Sequence, residues 1–167
     1  MRLFLAVFPP PETQSLAHDA AAALKRAAAA EGMGEKTVSW VRLENLHYTL
    51  RFIGEVGEDG ADRITLAANE AASSVAAFGV TLGGLGAFPR PRDARVLWVG
   101  LARGADPFRD LARGLDWTHS LARLNSLEND SAASFTVSRI SVVVSHLSPK
   151  GSHYDIRAEA ALAAAHP

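Results

Sequence analysis

Apolar residues fall into blocks of two kinds along the chain, short runs or alternations of strand length and longer stretches with helical spacing. Residues 3–8 form an unbroken apolar run closed by Pro9-Pro10-Pro11, which predicts a buried strand over residues 2–8. Pro11-Glu12-Thr13 opens a helix to about Glu31, with Leu16, Ala20, Ala23, Leu24 and Ala27 on one face and Gly32 and Gly34 ending it. A short strand is expected over residues 37–41. Residues 46–53 alternate: Leu46, Tyr48, Leu50 and Phe52 share one face, and His47, Thr49 and Arg51 share the other. An alanine-rich helix follows over residues 61–77. Strands over 78–85 and 95–101 then flank a basic, turn-rich stretch at 86–94 containing Arg90 and Arg92. Residues 106–115 read as a short helix with Asp106 as N-cap and Pro107 at its first position. Strands over 119–124, 135–144 and 154–160 complete the pattern. Each half runs strand, helix, strand, which predicts an α+β fold of two similar halves within one domain over residues 1–167.

Composition narrows the chemistry. The chain has 167 residues, 31 of them alanine, so helices are expected to pack closely on small side chains. There is no cysteine, which removes disulfides, thiolate nucleophiles and cysteine zinc sites. Lys and Arg number 17 against 18 Asp and Glu, a formal charge of −1, so a basic groove covering many phosphates is not expected. No apolar run approaches the roughly 18 residues of a membrane span, and the first is too short for a signal peptide's core. The expectation is a soluble, cytoplasmic monomer without a cofactor, working through His, Ser/Thr, Arg and carboxylates.

Asn45-Leu46-His47-Tyr48-Thr49-Leu50-Arg51-Phe52 is the most informative segment. In a strand, His47 and Thr49 point the same way, about 7 Å apart along the chain, so an imidazole and a hydroxyl reach one ligand together. Histidine moves protons near neutral pH, and a threonine hydroxyl donates to a charged oxygen. Arg51 would add a fixed positive charge to the same face. Taken alone, His-x-Thr is equally the polar side of an ordinary solvent-facing strand. No histidine pair has the i, i+4 spacing of metal ligands, so no metal is expected.

The surrounding residues sharpen this. Arg2-Leu3-Phe4-Leu5-Ala6-Val7, the stretch from Trp40 to Val56 around His47, Leu82-Gly83-Gly84-Leu85-Gly86-Ala87-Phe88-Pro89 and Arg95-Val96-Leu97-Trp98-Val99-Gly100 together resemble the RNA 2′,3′-cyclic phosphodiesterases, also called 2′-5′ RNA ligases, of the two-histidine phosphoesterase superfamily. The resemblance implies a bilobal α+β fold, with two pseudo-symmetric lobes of antiparallel strands flanked by helices around a central cleft. It implies one His-x-Thr/Ser motif per lobe, metal-free hydrolysis of RNA 2′,3′-cyclic phosphate ends to 2′-phosphates, and reverse 2′-5′ ligation. RNA 3′ ends or small cyclic nucleotides are the implied partners. His47 and Thr49 match the first motif. The second falls on Trp117-Thr118-His119-Ser120-Leu121-Ala122-Arg123, where two registers compete. Aligning on Ser120 and Arg123 puts Thr118 at the histidine position, whereas aligning on His119 puts Leu121 at the hydroxyl position. His119, Ser120 and the phosphate-contacting Arg123 are the candidates, with His47 as acid and the second histidine as base. His146-Leu147-Ser148 also matches His-x-Ser, but it lies in a stretch resembling the family's late strand end and turn. Arg90, Arg92 and Arg95 are either solvated or hold an RNA backbone. If Thr118 replaces the second histidine, the chain becomes a catalytically impaired binder of RNA ends or nucleotides.

Overall fold

The computed structural model describes residues 1–32, 38–93, 95–115, 133–149 and 151–164. In chain order they form β1 (Arg2–Val7), α1 (Pro11–Ala30), a 3-10 turn (Leu43–Asn45), β2 (Tyr48–Glu55), α2 (Glu58–Ser73), β3 (Phe78–Phe88), a second 3-10 turn (Pro91–Asp93), β4 (Val96–Arg103), α3 (Ala105–Gly114), β5 (Ser134–Val137), β6 (Arg139–Ser148) and β7 (Gly151–Ala161). The strands build two antiparallel sheets, one in the order β2-β1-β6-β7 and one in the order β4-β3-β5. β1, apolar from Leu3 to Val7 after the exposed Arg2, lies between β2 and β6, the place where an apolar strand is covered on both faces.

One apolar cluster joins both sheets to α2 and α3. It contains Leu3, Leu5 and Val7 of β1, Ala61, Ala68 and Ala72 of α2, Phe108 and Leu111 of α3, Val80, Leu82 and Leu101 of the second sheet, and Ile140 and Val142 of β6. The alanines of α2 let that helix lie close to the first sheet. At the helix's entry, Glu58 and Asp59 face the positive end of its dipole. The same acidic turn is tied to β7, where Arg157 reaches Glu58 and Asp62 at 2.9 and 2.8 Å. A second, smaller cluster of Phe4, Ala6 and Val143, with Phe8 and Tyr154 against it, covers the other face of the first sheet.

Three sequence expectations change here. Residues 38–42 form no strand, and the chain tightens instead into the 3-10 turn before β2. Asp106 is not the N-cap of α3. Gly104 is, at φ +81°, so a glycine in left-handed backbone turns the chain into the helix and Asp106 sits within its first turn. The apolar run at 135–144 divides at Ser138 into two strands, because β5 pairs with β3 while β6 pairs with β1 and β7. The chain crosses from one sheet to the other at that residue. The strand expected over 119–124 lies outside the described residues.

Candidate active site

His47 sits immediately before β2, where three neighbouring elements fix it. Its Nδ1 lies 2.7 Å from the main-chain oxygen of Asn45 and its Nε2 lies 3.0 Å from Thr49 Oγ1. A carbonyl only accepts, so Nδ1 carries the proton and, in the neutral ring, Nε2 accepts from the Thr49 hydroxyl. Asn45 is in turn anchored to the distant hairpin, its Nδ2 donating to the Ser152 carbonyl at 2.9 Å. From the other side, Gln14 Nε2 of α1 donates to the Leu46 carbonyl at 3.1 Å. The imidazole orientation is therefore set by α1, the 3-10 turn and β7 together.

Aromatic rings enclose the imidazole. Phe4, Phe8 and Tyr154 have centroids 4.9, 5.4 and 5.4 Å from it, with Tyr154 edge-on. Withdrawal from water disfavours the imidazolium and lowers the His47 pKa below its ordinary value. The bond to Asn45 opposes this more weakly. The free site thus holds a neutral imidazole whose basic nitrogen faces a hydroxyl.

Arg51 is not on this face. In the pairing of β1 with β2, Ala6 opposes Thr49, Leu5 opposes Arg51 and Phe4 opposes Phe52, which leaves Leu50 as the extra residue of a β-bulge. The bulge slips the alternation by one. Thr49 stays with Ala6 on the His47 side, Arg51 joins Leu5 on the helix-packed side, and Phe52, expected inside, returns beside Phe4 on the His47 side, 72% exposed. Arg51 instead donates from its guanidinium to the Leu115 carbonyl at the end of α3, at 2.7 Å. The expected common face of His47, Thr49 and Arg51 is corrected accordingly.

The remaining candidates divide cleanly. His119, Ser120 and Arg123, with Thr118 of the alternative register, lie outside the described residues. His146 is neighbour to Ser145, which pairs with the cleft-facing Tyr154, so His146 points to the opposite face. There its Nε2 and that of His153 each lie 3.0 Å from the carboxylate of Asp155. Arg90 is ion-paired with Asp93 at the tip of the β3–β4 hairpin, and Arg92 and Arg95 are exposed beside it. Alternation alone did not reveal Phe4, Phe8 and Tyr154 as the walls of the site. The late Tyr154 and the early Phe4 come together only because β6 carries β7 alongside β1.

Beyond Phe8 lies a cavity of about 410 Å³, lined by Phe8, Ser134, Thr136, Ser141, Arg139 and Glu159, among others. Phe8 touches both the imidazole and this cavity, so the site continues between the two sheets. A family model described as LigT like Phosphoesterase matches residues 7–98, more than half of the chain. The chain belongs to the LigT-like phosphoesterases. Among curated members of related sequence, the RNA 2′,3′-cyclic phosphodiesterase of Methanothermobacter thermautotrophicus is 40% identical over 79 residues, 47% of this chain and 42% of that protein. The one from Aeropyrum pernix is 46% identical over 90 residues, 53% and 47% of the two chains. The matched stretch thus spans less than half the length of these LigT-like relatives.

Solved structures agree over a greater length. A Thermus thermophilus protein superposes with a TM-score of 0.71 at 24% identity, covering 99% of this chain and 100% of that one. Escherichia coli LigT in its apo form gives 0.69 at 20% identity, covering 97% of each. Its complex with 3′-AMP gives 0.70 at 21% identity, covering 97% of this chain and 98% of that one. These likenesses establish the two-sheet LigT fold for the described elements. Among the described residues, no helix is long and apolar enough to cross a membrane.

Proposed function

We propose that this LigT-like phosphoesterase hydrolyses 2′,3′-cyclic phosphates at RNA 3′ ends to 2′-phosphates by paired imidazole chemistry. The observation that carries the reading is the state of His47. Its proton is held on Nδ1 by the Asn45 carbonyl, its Nε2 faces the Thr49 hydroxyl, and burial keeps the ring neutral. A neutral imidazole so fixed removes a proton from water as the water attacks phosphorus. The Thr49 hydroxyl, released from Nε2, then donates to a phosphoryl oxygen as charge builds there. The second imidazole, from His119, protonates the departing 3′ oxygen, and Ser120 and Arg123 complete the charge stabilisation. This reverses the acid and base roles expected from resemblance, because desolvation of His47 favours the uncharged form. His47 would serve as acid only if the bound phosphate's negative charge lifted its pKa. The same site run in reverse joins a cyclic phosphate to a 5′-hydroxyl. The relatives named above as RNA 2′,3′-cyclic phosphodiesterases support this substrate class.

The decisive experiment offers an oligonucleotide ending in a 2′,3′-cyclic phosphate to the protein in excess chelator and identifies the product by phosphorus NMR. A 2′-monophosphate at an undiminished rate is the expected result. Activity abolished by the chelator refutes the paired-imidazole mechanism. Binding without turnover makes the chain an RNA-end binder instead.

A further inference from the structure

Trp98 occupies an unusual bed on the second sheet. Val99 next to it packs into the main apolar cluster, so Trp98 projects from the opposite face, where it is half-buried. Its cross-strand partner is Gly86. A Cβ on Gly86 would fall 2.0–2.4 Å from three indole carbons, and one on Gly100 would fall 3.0 Å from Trp98 Cζ3. The ring therefore lies flat on bare backbone, in the space two side chains would otherwise fill, and neither apolar cluster includes it. Ser134 and Thr136 share this face, because the alternating Phe135 and Val137 belong to the core. Both also line the cavity that reaches Phe8, whose ring packs against the His47 imidazole. The face of Trp98 is thus the second wall of the same cleft. At the hairpin end of that face, Phe88 is 59% exposed, with Arg92 and Arg95 exposed close by in the chain.

We infer that Trp98 is a stacking platform for a nucleobase of single-stranded RNA, namely the nucleotide preceding the reacting 3′ end, with Arg92 and Arg95 beside the phosphate backbone. This rests on the cyclic-phosphodiesterase reading and extends it from a terminal phosphate to a strand. A flat aromatic ring fixed by its support offers a π-face to any base, and neighbouring guanidinium groups match the charge of the backbone. The imidazole already has its own aromatic enclosure on the first sheet, so a ring on the opposite sheet serves a different nucleotide. A chain of near-neutral charge then holds RNA by stacking plus a few local arginines.

The test compares a short RNA ending in a 2′,3′-cyclic phosphate with a mononucleoside 2′,3′-cyclic phosphate, using wild type, Trp98→Leu and Trp98→Phe. Leucine fills the space over the glycines without an aromatic face, and phenylalanine keeps one. Trp98→Leu is expected to lower kcat/KM on the RNA by roughly 5- to 150-fold, the range of one base stack, through KM. The mononucleotide rate should hold, and Trp98→Phe should retain most activity on both. Equal loss on the two substrates, or no loss on the RNA, overturns the inference. Fluorescence anisotropy with a labelled RNA of the same length ending in a plain 3′-hydroxyl reads stacking without hydrolysis. Weaker binding by Trp98→Leu alone supports the platform even if no cyclic phosphate is turned over, and unchanged binding overturns it.

Discussion

Asn45→Ala separates the positioning of His47 from its chemistry. The substitution leaves the main-chain oxygen that holds His47 Nδ1 but removes the amide that donates to Ser152, 107 residues away in sequence. One neutral, part-buried hydrogen bond contributes about 0.5–1.5 kcal/mol, and the Ser152 carbonyl, only half-buried, regains water in its absence. The expected loss of stability is about 1 kcal/mol, or roughly 2–4 °C in Tm for a chain of this length. Activity should fall further, because a displacement near 1 Å costs on the order of 100-fold when a catalytic group leaves its aligned geometry. Thermal denaturation and steady-state hydrolysis of the cyclic-phosphate oligonucleotide measure the two effects in parallel. A fall in kcat of at least tenfold beside a small Tm change supports the anchoring argument. Full activity in a destabilised variant refutes it, since the imidazole would then be oriented without β7.

Other expectations follow from the same geometry. Thr49→Val should leave the fold intact and reduce kcat by about 10²–10³-fold, the loss typical of one charge-stabilising donor, as read in single-turnover hydrolysis. The acid limb of kcat/KM should lie below pH 6.5, because the His47 base has a lowered pKa. An alkaline limb there instead would return His47 to the acid role. Stability follows with a definite sign. The unfolded chain takes up the proton near the ordinary histidine value and the folded chain only at lower pH, so the His47 contribution is full above about 6.5 and is lost as pH falls below it. His47→Gln should flatten that part of the Tm–pH curve. Leu111→Ala, at a wholly buried position between α3 and the core, should cost about 2–5 kcal/mol in chemical denaturation without a specific effect on KM.

Much of the fold was legible because its signals are local. The uncharged run at β1, the proline-initiated α1 and the alternation from Tyr48 each declare an element within a few residues. What escaped was set by pairing between distant segments. Nothing in Thr49-Leu50-Arg51 announces that Leu50 is the extra residue of a bulge, since the slip exists only against Ala6 and Leu5. It nonetheless exchanged the expected faces of Arg51 and Phe52. Ser138 carries no turn signal, and the chain changes sheets there because its flanking strands find different partners. His47 and Thr49 could be named from sequence because they lie two residues apart at the entry to β2. The enclosure by Phe4, Phe8 and Tyr154 needed the sheet order, and the bed beneath Trp98 needed Gly86 brought opposite across a hairpin.

The central place of β1 has a consequence for the order of assembly. Its partner β2 begins at Tyr48, whereas its other partner, β6, begins at Arg139, and β7, which supplies Tyr154 and the Ser152 carbonyl, comes later still. A chain emerging from the ribosome therefore displays His47 and Thr49, with Phe4 and Phe8 already made, long before Tyr154 and the Ser152 carbonyl that complete their surroundings. Contacts of such long sequence separation form late and slowly. Until the last hairpin docks, the histidine lacks its edge-on Tyr154 and the Ser152 anchor of Asn45. The surroundings of the first motif are thus completed only when the final strands arrive.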